Sequence, residues 1–434
     1  MSLTVKVLLG VVLGICLGLV INLSGVNAKG SWVNIYLVDG LFLIIGKLFI
    51  NALKMLVVPL VFFSLICGVC GIGNIDTLGR VGGKAFLLYL MTTAVAIAVA
   101  ISISVAVGLG EGMTLLSEAT FSAKATPPLS EVLINIVPSN PVQAMANGDM
   151  LPLIFFTILL GISMLMIGEK AAPFIRAADI ANEIMMKMVM MVMAVAPYAV
   201  FVLISRSIAE LGLDLLNQLA GYVLVLVGAL LIHLFVTLMV VLKVFSGLNP
   251  LVFLHKMRGA QLFAFSTASS NATIPVTLRA VTQRLGVDNS VASFTVPFGA
   301  TINMDGTAIM QGVATVFIAN LYGVELGMAG YLTVIMMSVL ASIGTAGVPG
   351  VGLIMLSMVF TQVGLPVEGI GLILGVDRLM DMIRTAVNVS GDAVVSVIVA
   401  KSEDSLDVAL YQDLHAGAVD TASLHIETKQ KGPA

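Results

Sequence analysis

The sequence predicts an all-α polytopic membrane protein, and three observations carry that reading. Of its 434 residues 59% are hydrophobic and only 10% are charged, with a mean hydropathy of +1.09, whereas soluble domains carry about 25% charged residues. The apolar runs are continuous, without the period-two alternation of a transmembrane β-barrel. Beyond about residue 250, polar and glycine-rich clusters interrupt the chain where uniform spans would carry leucine. At about 20 residues per span the length accommodates roughly eight to ten crossings, which excludes a soluble enzyme and a single-pass receptor.

Six apolar segments come first, at about 5–23, 41–70, 84–108, 150–168, 185–205 and 219–245. Lys6 and Val26-Asn27-Ala28 give the N-terminus a signal-peptide flavour, but the apolar run 7–23 exceeds a usual h-region, so it is read as a retained span. The connection 110–149, with its turn signal Pro138-Ser139-Asn140-Pro141, is an external loop or an extension of the next helix. Arg80, Lys84, Lys170, Arg176, Lys187, Lys243, Lys256 and Arg258 fall on one side, and Lys29, Lys124 and Arg206 with five acidic residues on the other. That asymmetry places the N-terminus in the cytoplasm. Lys47 and Lys54, inside the second run, are read as snorkelling. Net charge is -3 with no basic block, which leaves nucleic acid out as a partner. Cys67-x-x-Cys70 has redox spacing but no second pair or nearby His, so its thiols are read as structural.

Two interruptions resemble each other: 266–275, centred on Ser269-Ser270-Asn271, and 342–352, with Gly344, Gly347, Gly350 and Gly352. Paired broken segments point to a transporter's binding site, because irregular backbone at membrane depth must be satisfied by protein or a water-lined cavity. On the last apolar segment, Asp377, Asp381, Arg384, Asn388 and Asp392 are spaced 4, 3, 4 and 4 apart, within a wedge of roughly 80° on a helix. Charges at such depth line substrate or ion paths. Asn303-Met304-Asp305-Gly306-Thr307 forms a second cluster, in which Gly306 is expected to let the helix unwind and free carbonyls for a hard cation. Four buried carboxylates (Asp305, Asp377, Asp381, Asp392) face two arginines, Arg378 and Arg384. Sodium, a proton or a ligand ammonium must supply the balance. An Asp for an amine and an Arg fork for a carboxylate, one turn apart, suit an acidic amino acid.

These motifs, with Leu53-Lys54-Met55-Leu56-Val57-Val58-Pro59, Leu78-Gly79-Arg80-Val81-Gly82 and 341–350, resemble the glutamate transporter family, also called dicarboxylate/amino acid:cation symporters, over nearly the whole chain. The resemblance implies a prokaryotic inner-membrane (plasma-membrane) protein with cytoplasmic termini, a homotrimer in lipid, and no enzyme activity. It implies eight transmembrane helices and two re-entrant helical hairpins in inverted repeats, working as an elevator. Scaffold helices would occupy 1–83 and, after the extracellular loop, 111–215. The transport domain would comprise 84–110 and 216–402, with hairpins at about 250–283 and 328–361 and helices at about 288–320 and 364–402, ahead of a cytoplasmic tail 403–434. Arg384 resembles the binder of the substrate's side-chain carboxylate and Asp381 that of its amino group. Thr307, Thr385 and Asn388 would complete the side-chain contacts, with Ser269, Ser270, Val348 and Gly352 at the tips. Asn303, Asn388 and Asp392 resemble one sodium site; Thr301, Ser342, Ile343 and Thr345 a second; Tyr89, Thr92, Thr93, Asn303 and Asp305 a third; and Met304 lies between ions and substrate.

Departures from the pattern matter. Ala268 and Met382 stand where different relatives carry an Arg, a role Arg378 could fill from one turn away. Gln311 replaces the Glu of potassium-exchanging relatives, which argues against potassium antiport. Relatives carrying C4 dicarboxylates lack the Asp at 381, and neutral amino acid relatives replace the Arg at 384, so an acidic amino acid is favoured. Proton coupling and C4-dicarboxylate transport are the alternatives within the family. A passive channel is a third reading. An intramembrane aspartyl protease needs two carboxylates sharing a proton across facing helices, whereas three of the four here lie on one segment.

Overall fold

The computed structural model describes residues 3–28, 30–70, 78–111, 134, 136–345, 347 and 349–414. Apart from an isolated bridge between Val287 and Leu406, the ordered elements among them are helical. In chain order these are α1 (Leu3–Leu23), a π-helical turn (Val33–Phe42) running into α2 (Leu43–Cys70), α3 (Gly83–Ala106), the short α4 (Pro141–Asn147), α5 (Met150–Ile167) and α6 (Ala172–Leu211). Next come α7 (Leu213–Ile232), a π turn (His233–Thr237), α8 (Leu238–Ser246), α9 (Pro250–Thr267), α10 (Ser270–Arg279), α11 (Asn289–Ile302) and α12 (Asp305–Leu321). The chain continues with α13 (Gly327–Gly344), α14 (Val351–Gln362), α15 (Ile370–Ser402) and α16 (Val408–Gln412). Among the described residues, six helical stretches are long and apolar enough to cross a membrane, and α13 and α14 are apolar but shorter.

Helix α6 packs against α1 and α2, and α2 also packs against α5. Gly10, Gly14 and Gly18 recur every fourth residue on α1, and a Cβ on any of them would lie within 2.9 Å of a backbone oxygen of α6. This small-residue stripe is what lets the two backbones approach. The stretch 169–187, whose Lys170, Arg176 and Lys187 the charge asymmetry places on the cytoplasmic side, is mostly helix. After a tight turn (Gly168–Ala171), α6 runs for 40 residues, about 60 Å. Arg176, Asp179, Glu183 and Lys187 lie on its exposed face while Ala178 is buried, so helical spacing absorbs the charges that look like a loop in the sequence. The turn signal at 138–141 is the N-cap of α4, where the Asn140 side chain accepts from the amides of Val142 and Gln143.

The remaining helices surround α15, which is buried along most of its length against α9, α11, α12 and α8. Helices α9 and α10 form one helix–turn–helix and α13 and α14 another. The first turns at Ala268 (φ 49°) and Ser269, the second at Pro349 and Gly350 (φ 88°). Of the four glycines expected to make the second tip flexible, Gly344 ends α13 and Gly352 lies inside α14; Gly350 is the one in the left-handed region.

Lys256 was expected among the exposed orienting charges, but it is fully buried. Its ammonium donates to the carbonyls of Arg284 and Leu410, each at 2.6 Å, beside the Tyr411 ring. Backbone bonds from Asp288 N to Ser405 O and Asp407 N to Gly286 O complete a strap, so the expected tail is pinned through Tyr411. Its residues 415–434 lie outside the described part. Glu403 closes the same end, bound by Lys84 (2.5 Å) and Arg80 (2.8 Å). The hydrogen bond from Lys84, with both cations nearby, holds the Glu403 carboxyl below the usual carboxylate range. Its stabilisation is present above the ordinary glutamate value and lost as pH falls through the lowered one. Glu403→Gln is therefore expected to lower the melting temperature in detergent at pH 7, with the difference from the parent fading below about pH 4.

Candidate functional site

The polar stripe reads out on α15 as its spacing predicts. Arg384 is fully buried, and Asp377 (6% exposed) and Asp381 (8%) flank it. The guanidinium donates from Nη1 to Asp377 Oδ1 (2.7 Å) and from Nη2 to Asp381 Oδ1 (2.9 Å). Arg378 Nη1 lies 3.8 Å from Asp381 Oδ2. Arg384 Nε and Asp381 Oδ2 are buried without a hydrogen-bond partner, leaving one donor and one acceptor on the pair unsatisfied. Asp377, Arg378 and Asp381 line a cavity closed by Met193 and Ala196 of α6 and by Gly350 of the second tip. Thr385 donates to the Asp381 carbonyl (2.7 Å), and Thr307, 5% exposed, faces Gly352, where a Cβ would lie 3.1 Å from its methyl and 3.4 Å from Arg384 Nη2.

The two helical turns meet each other. Ser269 Oγ donates to the Gly347 carbonyl (2.7 Å), which also accepts from Asn271 N (3.1 Å). Ser270 starts α10 and Val351 starts α14, and helix N-termini carry partial positive charge and free N–H groups. Val348, expected to contribute backbone, lies outside the described residues.

The chain unwinds between α11 and α12, at Asn303 (φ -99°, ψ 91°) and Met304 (φ -115°, ψ 51°). Gly306, expected to permit the unwinding, is already helical in α12. A Cβ there would lie 2.7 Å from Arg384 O and 2.9 Å from Arg384 Cα, so glycine serves close approach to α15. Asn388 Oδ1 accepts from Gly306 N (2.7 Å), and its amide nitrogen lies 3.3 Å from Met304 Sδ. Asn388 thus ties the unwound segment to the turn of α15 that carries Arg384.

The residues that resemble cation sites lie around the unwound segment. Asn303 Nδ2 donates to Asp392 Oδ1 (3.0 Å), while Asn303 Oδ1 is buried with no hydrogen-bond partner. An orphaned acceptor beside a carboxylate suits a hard cation, which takes oxygen ligands. Ser342 bridges Ile302 O (2.7 Å) and Met304 N (2.8 Å), and Thr345 donates to Ala341 O (2.7 Å). Ile343 is buried; Thr301, partly buried, donates to Pro297 O (2.9 Å). These four gather where α13 meets the unwound segment. On α3, Thr93 donates to Asp305 Oδ1 (2.5 Å) and Thr92 lies 3.5 Å from the same oxygen. Tyr89 donates instead to Thr295 O (2.9 Å), and its own carbonyl accepts from Thr92.

Three contributions escape the sequence reading. His233, 1% exposed, places Nε2 3.0 Å from Asp305 Oδ2. A lone His in an apolar run is a signal for such a site. Gly299 and Gly391 permit close packing: a Cβ on the first would lie 2.5 Å from Asp392 Oδ1, and on the second 2.6 Å from Asn303 Nδ2. The charge balance also sharpens. Asp377 and Asp381 share Arg384, whereas Asp305 is met by a histidine and hydroxyls and Asp392 by an amide.

Long apolar helices around a buried, charged, two-tipped site define a multi-pass membrane protein built to carry a polar solute. The pattern described as the sodium:dicarboxylate symporter family matches residues 3–402, and the chain belongs to that family. It is similar to a proton/sodium-glutamate symport protein of Bacillus caldotenax, 33% identical over 368 residues, covering 83% of this chain and 87% of that protein. It is also similar to a proton/glutamate-aspartate symporter of Escherichia coli (strain K12), 34% identical over 418 residues, covering 94% of each. A C4-dicarboxylate transport protein of Bacillus subtilis (strain 168) is 32% identical over 416 residues, covering 94% of this chain and 95% of that one. The chain is thus a symporter-family transporter, not an enzyme.

Proposed function

We propose that this protein is a sodium-coupled symporter of acidic amino acids, aspartate, glutamate or both. The observation that carries the reading is the buried Arg384–Asp381 pair, with Arg384 Nε and Asp381 Oδ2 free of hydrogen bonds, beside the second helix tip at Gly350 and Gly352. A substrate's side-chain carboxylate takes the guanidinium fork, and its ammonium takes Asp381. The α-carboxylate is held at the tip N-termini around Ser270, with Ser269, Val348 and Gly352, and Thr307, Thr385 and Asn388 complete the contacts. A C4 dicarboxylate would instead bring a second anion against Asp381. That is the argument against the C4 reading, which the name of the B. subtilis relative keeps as the runner-up, together with proton coupling.

Sodium would be held by Asn303, Asn388 and Asp392; by Thr301, Ser342, Ile343 and Thr345; and by Tyr89, Thr92, Thr93, Asn303 and Asp305. The orphaned Asn303 Oδ1 and the neutral Asn303 amide that meets Asp392 support cation binding there. Asn388 and Met304 touch both halves, so ordering one site orders the other, which is the physical content of coupling. In this reading 1–83 and 111–215 form a scaffold, and 84–110 with 216–402 a moving transport domain of an eight-helix, two-hairpin elevator. The resemblance alone supports a homotrimer in the plasma membrane with cytoplasmic termini.

Competition against labelled aspartate uptake in proteoliposomes tests the substrate class. Unlabelled aspartate and glutamate should compete, and succinate and alanine should not. Succinate competing as well as aspartate would replace this reading with the C4-dicarboxylate one.

A further inference from the structure

His233 is a buried titratable side chain that the substrate and ion assignments leave without a role, although it touches a proposed ion ligand. On α7 the buried positions Tyr222, Leu226, Ala229 and Leu230 recur at three- and four-residue spacing, and His233 continues that face. It begins the π-helical turn His233–Thr237, a local widening that in helices frequently marks functional positions. The imidazole lies 3.0 Å from Asp305 Oδ2, and the opposite oxygen, Oδ1, meets Thr93 at 2.5 Å and Thr92 at 3.5 Å. His233 Nδ1 has no hydrogen-bond partner. The ring's one polar contact with its surroundings is therefore the carboxylate. With a hydrogen on Nε2, the imidazole donates to that carboxylate oxygen.

The geometry points to His233 as a positioning residue for the cation held around Asp305. By donating to Oδ2 it fixes the carboxylate's rotation so that Oδ1 faces the α3 hydroxyls. This rests on the reading above, in which Thr92, Thr93 and Asp305 hold a cotransported sodium. The arrangement is the one by which supporting residues orient metal ligands, whose loss typically lowers ion affinity about 10- to 100-fold.

The test is aspartate binding to purified full-length protein in detergent, titrated with sodium at fixed aspartate and with aspartate at saturating sodium. His233→Leu is expected to raise the sodium midpoint at least about 10-fold while aspartate affinity at saturating sodium stays within about 2-fold of the parent. His233→Gln, whose amide nitrogen can reach the place of Nε2, is expected to restore most of the sodium affinity. If the Leu variant does not fold, His233→Asn, whose donor falls short of Asp305, is expected to raise the midpoint while His233→Gln preserves it. An unchanged midpoint in the Leu variant, or equal losses in the donor-bearing and donor-lacking variants, overturns the positioning role. Sodium-independent binding by the parent would instead overturn the sodium reading itself, so the two failures are separable.

Discussion

Replacing Arg384 with cysteine is expected to abolish concentrative uptake of aspartate and glutamate. The guanidinium is fully buried and divides its donors between Asp377 and Asp381. Removing one partner of a buried pair strands the other, a loss of about 3–5 kcal/mol in comparable cases. We expect acidic substrate affinity to fall at least about 100-fold, equivalent to about 2.7 kcal/mol. Small neutral amino acids should still bind, because Asp381 remains for the ammonium and the helix tips for the α-carboxylate. Serine binding by Arg384→Cys separates lost specificity from lost folding. Unchanged aspartate affinity would refute the role given to Arg384.

Asp392→Asn should have an effect of similar size on the ion side. The substitution keeps the shape and a carbonyl acceptor for Asn303 Nδ2 but removes the charge. With the Asn303 amide as its hydrogen-bond partner, Asp392 carries the charge that sodium is proposed to balance. The sodium midpoint for aspartate binding should rise at least about 100-fold, beyond the 10- to 100-fold typical of supporting residues. Arg384 lies two helical turns away on α15, so aspartate affinity at saturating sodium should change far less. A shift in aspartate affinity with an unmoved sodium midpoint would place Asp392 among the substrate contacts instead.

The sequence made part of this site legible for a physical reason. Asp377, Asp381, Arg384, Asn388 and Asp392 stand out because a helical period is easy to see against an apolar background, and both tips because small polar residues and prolines interrupt apolar runs. Features set by tertiary approach did not stand out. His233 has no local pattern to announce its contact with Asp305, 72 residues on. Lys256 resembles any orienting lysine until Arg284 O and Leu410 O fold around it. Gly306 stands out in the sequence, but conformational freedom and close approach both demand glycine and look alike there; in the structure it serves close approach to Arg384. The first turns of α6 were hidden by Arg176, Asp179, Glu183 and Lys187, which read as a loop until their three- and four-residue spacing is laid on a helix.

The central claim is that a sodium gradient drives an acidic amino acid through this site. It is tested most directly by radiolabelled aspartate uptake into proteoliposomes with sodium and proton gradients imposed separately. The account predicts accumulation above the external concentration under an inward sodium gradient at equal pH on both sides, and none under a pH gradient in sodium-free buffer. Accumulation driven by the pH gradient alone would contradict it and make the protein a proton-coupled transporter.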